Sequence, residues 1–303
     1  MSRRGWVLFA LMSVLWGIPY LLIKVAVEND ISVPGVVFAR TALGALVLLP
    51  LAVRTGGFDK VRKHWKPVLA FAALEVLGPW ALLSDAERTL SSGMAGLLIA
   101  AVPIVGVLAA RATGDSERLG PLRWAGLLLG LGGVAVLAAP QLDGGSAWAV
   151  AEVALVVVGY ATAPLILARK LGDVPSLTMT TACLGIAALI YAVPAALTAP
   201  ATLPPGRVLA ALAVLGVAST AVAFVLFFEL IREVGPTRAP VFTYVNPAVA
   251  VAAGVLFLGE SLTWEIAAAF GLILCGSVLA TLRPPKGRPV AVPEAVEVDT
   301  VKG

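Results

Sequence analysis

Ten apolar runs of about 20 residues follow one another along this chain with only short polar joints between them. Each is long enough, as a helix, to cross a hydrocarbon core about 30 Å thick. The runs fall near 5–27, 34–53, 67–84, 90–110 and 119–139, and again near 148–169, 176–198, 206–230, 236–258 and 263–282. Residues are 59% hydrophobic and only 13% charged, with mean hydropathy +0.96, whereas soluble domains carry about 25% charged residues. The fold class read from this is an all-α membrane protein of ten transmembrane helices. The opening SRRGWVLFALMSVLWGIPY has twin arginines before an apolar run, but the run is long and holds Trp16 and Pro19. It reads as the first span and not as a cleaved signal.

Charge placement gives the spans a direction. Of the 22 Lys and Arg residues, 18 fall on one side of a ten-span topology, among them Arg3, Arg54, Lys60, Arg111, Arg169, Arg232 and Arg283. Arg88 and Arg207 fall on the other side, and Lys24 and Arg40 lie within spans. Because cytoplasmic loops hold the Lys and Arg, both termini are expected in the cytoplasm of a cell whose cytoplasmic membrane the chain spans many times. Basic residues placed to orient a membrane protein do not argue for a nucleic-acid partner. The tail from Arg283, rich in Pro and charge and without apolar periodicity, reads as a disordered cytoplasmic segment, 283–303.

The stretch GPTRAPVFTYVNPAVAVAAGVLFLGESLT, residues 235–263, carries Pro240, Asn246 and Pro247 in an apolar run. Read as one helix, Pro247 would free the carbonyl of Thr243, which lipid does not satisfy, so this helix should line protein or a wet cavity. A shift of 144 positions takes Pro247 to Pro103, Arg232 to Arg88, Glu229 to Asp85, Tyr160 to Trp16 and Gly276 to Gly132. One offset serving five positions points to a duplication, dividing the chain into repeats at 1–140 and 145–282. An odd number of spans per repeat makes the second enter the membrane from the opposite side, so the two form inverted five-helix repeats, an arrangement typical of transporters.

The residues also resemble a known family. WGIPYLLIK, FARTALGALVLLP, AAVPIVGVLAA and RWAGLLLGLGGVAVL in the first half, with REVGPTRAPVFTYVNPAVAVAAGVLFLGESLTWEIAAAFGLILCGSVLATL in the second, are similar to the EamA-type permeases of the drug/metabolite transporter superfamily. The resemblance covers about residues 5 to 282. It implies ten helices in two inverted repeats and movement of small metabolites, often outward, through a central cavity. It also matches Arg40, after Phe38, to an arginine common in the family's second helix. The first half departs from the pattern with GDSERLG where a longer Leu-Gly-Glu turn is usual, so Glu117 matches less well than Glu260.

Charged side chains inside a span cost about 2.5–3.5 kcal/mol on insertion scales and need a reason. Arg40 is either an anchor for helix-end carbonyls or a partner carboxylate, or a substrate contact. Glu75, one turn before Pro79, is either a structural partner of Arg40, a proton-coupling group or the binder of a substrate amine. Glu152 and Glu229, nearer helix ends, are expected to be solvated, and the Asp85–Arg88 and Glu229–Arg232 pairs to be local ion pairs. Ser13, Trp16, Tyr20 and Ile23 share one face of the first span, and Thr243, Asn246 and Pro247 one face of the ninth, as cavity walls do. The candidate substrate or coupling residues are therefore Trp16, Tyr20, Arg40, Glu75, Thr243 and Asn246, with helix breaks at Pro19, Pro79, Pro103 and Pro247. Gly126 and Gly130 form a GxxxG that serves either packing within the chain or a homodimer.

Three function classes fit a polytopic membrane chain. A secondary transporter of a small metabolite, amino acid or drug-like compound, working by alternating access and exporting its substrate, agrees with the repeat and the prolines. An intramembrane lipid-modifying enzyme lacks a nucleophile, base and orienter set. A non-transporting membrane subunit predicts no saturable flux. One His and two Cys supply no metal cluster or disulfide framework. No cofactor is expected, and no GxxxxGK[ST] is present for ATP hydrolysis.

Overall fold

The computed structural model describes residues 2–113, 120–143, 146–235 and 239–281. The tail read as disordered, Glu117, Arg118 and Arg238 lie outside the described residues. Among the described residues all regular structure is helical. Eight helices are long and apolar enough to cross a membrane: α1 Arg3–Val27, α2 Val33–Thr55, α3 Trp65–Ala86, α4 Ser92–Ala112, α5 Pro121–Pro140, α6 Ala147–Lys170, α7 Ser176–Leu197 and α8 Gly206–Val234. Two shorter apolar helices follow, α9 Phe242–Leu258 and α10 Trp264–Leu279. Bounds agree with the apolar runs to within a few residues, because one run of greasy side chains makes one helix. A short surface helix, Phe58–Lys63, joins α2 to α3.

The chain alternates between two ends. At one, Arg4 pairs with Glu229, Lys60 Nζ donates to the Asp173 carbonyl, and Arg169 donates to that of Thr113. These bonds gather the N-terminus and the joints α2–α3, α4–α5 and α6–α7 at one basic end. At the other, Arg207 donates to Asn29, Ser32 bonds Thr198, and Glu260 binds the start of α4. These joints therefore fall at two ends, with Arg4, Lys60 and Arg169 at one and Arg207 at the other.

Helices of the first half pack on helices of the second: α1 on α8, α3 on α6, α2 on α7, α4 on α9 and α5 on α10. Moving every number by five places reproduces this pairing. The tightest crossing is α5 on α10, where a methyl group on Gly276 would collide with the backbone of Gly130. The GxxxG of Gly126 and Gly130 is thus used for packing inside the chain. Large apolar side chains point outward in turn, such as Leu189, which is 78% exposed, the surface a bilayer covers.

Several spans are interrupted. α1 breaks after Leu15 and restarts at Pro19. α4 breaks at Ala100 and Ala101, whose N–H groups reach back only three residues, and restarts at Val102 with Pro103 second. The expectation of one continuous helix around Pro247 is corrected: a 3₁₀ stretch, Ala239–Tyr244, gives way to an α-helix starting at Asn246 with Pro247 second. A proline in the first turn of a helix removes an N–H that has no intrahelical partner anyway, so the break relocates the proline's cost instead of leaving it at Thr243. The two restarts, Val102 and Asn246, are 144 residues apart. Wide π turns occupy Ala73–Leu77 in α3 and Val214–Val222 in α8, and the same offset carries the first into the second. α6 contains Pro164 without interruption, so α1 and α6 differ at this point.

Candidate functional site

Arg40 stands two turns into α2 and is buried among three other helices. Its Nε donates to Thr220 Oγ1 at 3.0 Å, and its guanidinium carbon lies 3.5 Å from the centre of the Trp80 ring. Thr220 is held in turn by its own hydroxyl, which donates to Leu215 five residues back at 2.8 Å, the reach of a π turn. The π geometry of α8 therefore aims the acceptor that orients Arg40. Tyr20 from α1 and Tyr160 from α6 lie within electrostatic reach of the guanidinium. Among the described residues the two terminal nitrogens of Arg40 have no hydrogen-bond acceptor, so the planar fork remains available for an anionic group.

Glu75 sits in the π turn of α3 and makes no hydrogen bond or ion pair among the described residues. The structural reading that paired it with Arg40 is corrected, since Arg40 is engaged by Thr220 and Trp80. Pro79 is the second residue of the α segment that follows the π turn. The backbone groups loosened there find partners on other helices: Tyr191 Oη donates to Leu77 O at 2.9 Å, and Gly159 lets α6 come so close that a Cβ would lie 2.5 Å from Leu74 O. A break that costs α3 its internal bonds is thereby made tolerable. Cys183 and Tyr160 lie within electrostatic reach of Glu75.

The polar stripe of α1 does not survive as one face, because the break at Trp16 separates its two halves. Tyr20 reaches the interior near Gly96. Trp16 enters an aromatic cluster with Phe224, Phe227 and Phe242, at ring separations of 5.4, 5.1 and 5.4 Å. Phe228 stacks beside it on Phe224 and also lines a cavity of about 560 Å³ at the basic end, with Leu51, Arg54, Ser176 and Arg232. Asn246, with its amide nitrogen turned toward them, donates to the carbonyls of Phe242 and Ser13 at 3.2 Å each. It joins the breaks of α9 and α1, and Thr243 is half-buried alongside. The expected site residues are therefore distributed: Tyr20, Arg40 and Glu75 lie around Tyr160 and Trp80, while Trp16, Thr243 and Asn246 lie toward the basic end.

Three side chains, Glu152, Lys24 and Glu260, depart from the sequence reading or fall outside it, whereas both expected local ion pairs form. Glu152, expected in solvent, is buried next to Asp85. Glu229 bonds both Arg4 and Arg232, and the Asp85–Arg88 pair forms at 3.4 Å. Lys24 is almost fully buried, its Nζ donating to the carbonyls of Glu87 and Leu90 at 2.8 and 3.0 Å while pairing with Glu28 at 3.3 Å. Glu260 accepts from the first two N–H groups of α4, Ser92 and Gly93. Only the position of Glu260 in the Leu-Gly-Glu turn marked it in the sequence.

Buried charge within an all-helical bundle clad in apolar side chains defines the class: a multi-pass membrane protein with a polar interior. The EamA-like transporter family matches residues 3–139 and again 147–282, and the chain belongs to that family. It is 28% identical over 280 residues to the "Uncharacterized inner membrane transporter YedA" of Escherichia coli (strain K12), covering 91% of this chain and 89% of that one. It is 25% identical over 281 residues to an "Uncharacterized transporter" of Archaeoglobus fulgidus, covering 90% and 97%. A solved crystal structure shares the fold with a TM-score of 0.66 at 20% identity, over 93% of this chain and 98% of that one. The chain is accordingly a membrane transporter by kinship.

Proposed function

We infer that the chain is a secondary transporter that exports a small metabolite, amino acid or drug-like compound across the cytoplasmic membrane, with both termini in the cytoplasm. Two inverted five-helix repeats, 1–140 and 145–282, move against each other by alternating access around an interior site. The observation that carries this reading is Arg40: an interior guanidinium oriented by Thr220 and Trp80, with its terminal nitrogens unpartnered among the described residues. Burying a cation costs free energy that a stable fold has no need to spend unless a ligand meets it. The matched restarts at Val102 and Asn246, the matched π turns and the five-place symmetry of packing support the repeat.

Arg40 binds an anionic group of the substrate, Tyr20 and Tyr160 border it, and Glu75 either binds a substrate amine or carries a proton. Trp16, Thr243 and Asn246 form the closure toward the basic end. The test is a comparison of metabolites in the medium of cells lacking and overproducing the protein, followed by flux of the responding compound in proteoliposomes. A compound that follows expression and crosses proteoliposomes saturably is expected. Absence of any saturable flux would leave a non-transporting membrane subunit.

A further inference from the structure

Toward the end of the bundle opposite the basic loops lies one carboxyl group that the proposed substrate site does not use. Glu87 follows the last residue of α3 and is fully buried, and neither of its carboxylate oxygens has a hydrogen-bond partner. The groups that face it come from several elements. Lys24 of α1 uses its ammonium on the backbone carbonyl of Glu87, not on the carboxylate, and its backbone N–H faces the carboxylate without reaching hydrogen-bond geometry. Arg40 of α2, Tyr20 of α1 and Glu260 after α9 lie within electrostatic reach. Burial pushes the Glu87 carboxyl well above its ordinary range, opposed by Lys24, reinforced by Glu260 and opposed again by Arg40.

The surroundings of Glu87 are ties between helices at this end. Lys24 ties α1 to the α3–α4 joint through two carbonyls, and Glu260 ties the turn after α9 to the first turn of α4. Ser92, at the start of α4, is also fully buried with its hydroxyl unpartnered. A carboxylate held without partners in such a place carries several kcal/mol of desolvation cost in its charged form, so the closed arrangement accepts the protonated form.

We propose that Glu87 is a proton-binding site that controls closure of this end: it holds a proton while the Glu260 contacts between the two repeats are made and releases it when this end opens to water. The inference deepens the transport reading and rests on it for its physiological use. A carboxyl raised in the closed form binds a proton that the open, hydrated form gives up. Raising the pH from the ordinary carboxyl range toward the raised value therefore favours opening, and lowering it favours closure, by up to about tenfold per pH unit for one proton.

Ser92→Cys, in a protein with Cys183 and Cys275 changed to Ser, reports the opening by its rate of alkylation with a polar maleimide in nanodiscs. Comparing each rate with that of the same protein carrying Glu87→Gln cancels the titration of the thiol itself. The ratio is expected to rise with pH by up to about tenfold per unit, and to do so also with Glu75→Gln. With Glu75→Gln as the common background, the infrared difference spectrum with and without Glu87→Gln should contain a protonated-carboxyl band at neutral pH, displaced when Glu87→Asp replaces the native residue. A flat ratio, or a difference spectrum without a band that depends on Glu87, overturns the proposal. No substrate is needed, so saturable flux with a flat ratio rejects the proton site alone, while a rising ratio without flux rejects the transport reading alone.

Discussion

Glu260 accepts a hydrogen bond of 2.6 Å from the backbone N–H of Ser92, across 168 residues of chain. Its second oxygen takes Gly93 at 3.0 Å, and Ser91 caps Met94, so the first turn of α4 is satisfied. Gly259, in the left-handed region at φ 67°, ends α9 and redirects the chain so that Glu260 arrives there. Gly254 leaves the room, since a methyl group on it would collide with the Glu260 carboxylate. The negative group also meets the positive end of the helix dipole. Hydrogen bonds to charged groups contribute about 1.5–3 kcal/mol each. Glu260→Ala should therefore lower the unfolding temperature in detergent by several degrees, and Glu260→Gln by less, followed by tryptophan fluorescence; an unchanged midpoint in both would deny the contact its structural role.

Arg40→Lys keeps the charge but loses the planar fork and its stacking on Trp80. Loss of one bond to a charged group, about 1.5–3 kcal/mol, corresponds to tenfold or more in affinity. KM for saturable flux of the identified substrate should rise by about that factor, with Thr220→Val reproducing part of the effect. Wild-type KM in Arg40→Lys would remove Arg40 from the substrate site.

For Glu75→Gln the shape is kept and titration is lost. In proteoliposomes, exchange should persist while acceleration by a pH gradient disappears if Glu75 couples protons, whereas joint loss of binding and exchange marks contact with a substrate amine. Flux, affinity and pH response all unchanged would show a residue without either role.

Gly276→Leu places a side chain where the Gly130 backbone already stands. Overpacking of this kind costs about 1–3 kcal/mol. The variant should unfold at lower temperature in detergent, whereas Gly271→Leu, where a Cβ meets nothing nearby, should not. Equal behaviour of the two would mean that the α5–α10 crossing yields easily.

Reporter fusions at Arg4 and Arg283 should both report the cytoplasm, on the strength of 18 of the 22 basic residues. The ties of Lys60 to Asp173 and of Arg169 to Thr113 put their loops at one end. A reporter outside the cell at either position would refute the orientation.

Run length and charge placement sufficed to read the helices, their alternation and the 144-residue offset, because burial in lipid acts on each span separately. The prolines marked real interruptions at Trp16–Ile18, Ala100–Ala101 and Val245 for the same local reason, an N–H that cannot be made. What the breaks become is not local. Whether Pro247 leaves Thr243 unsatisfied or opens a new helix depends on Asn246 finding the Ser13 carbonyl on α1, and the loosened turn before Pro79 depends on Tyr191 and Gly159. In the same way, Arg40 and Glu75 were visible as charges inside spans. Only tertiary packing gave Arg40 to Thr220, left Glu75 without it, and enclosed Glu87, which the sequence shows as one more acid at a helix end. Spans obey the bilayer one at a time, whereas polar partners are chosen among side chains more than 100 residues apart, and nothing in local composition records that choice.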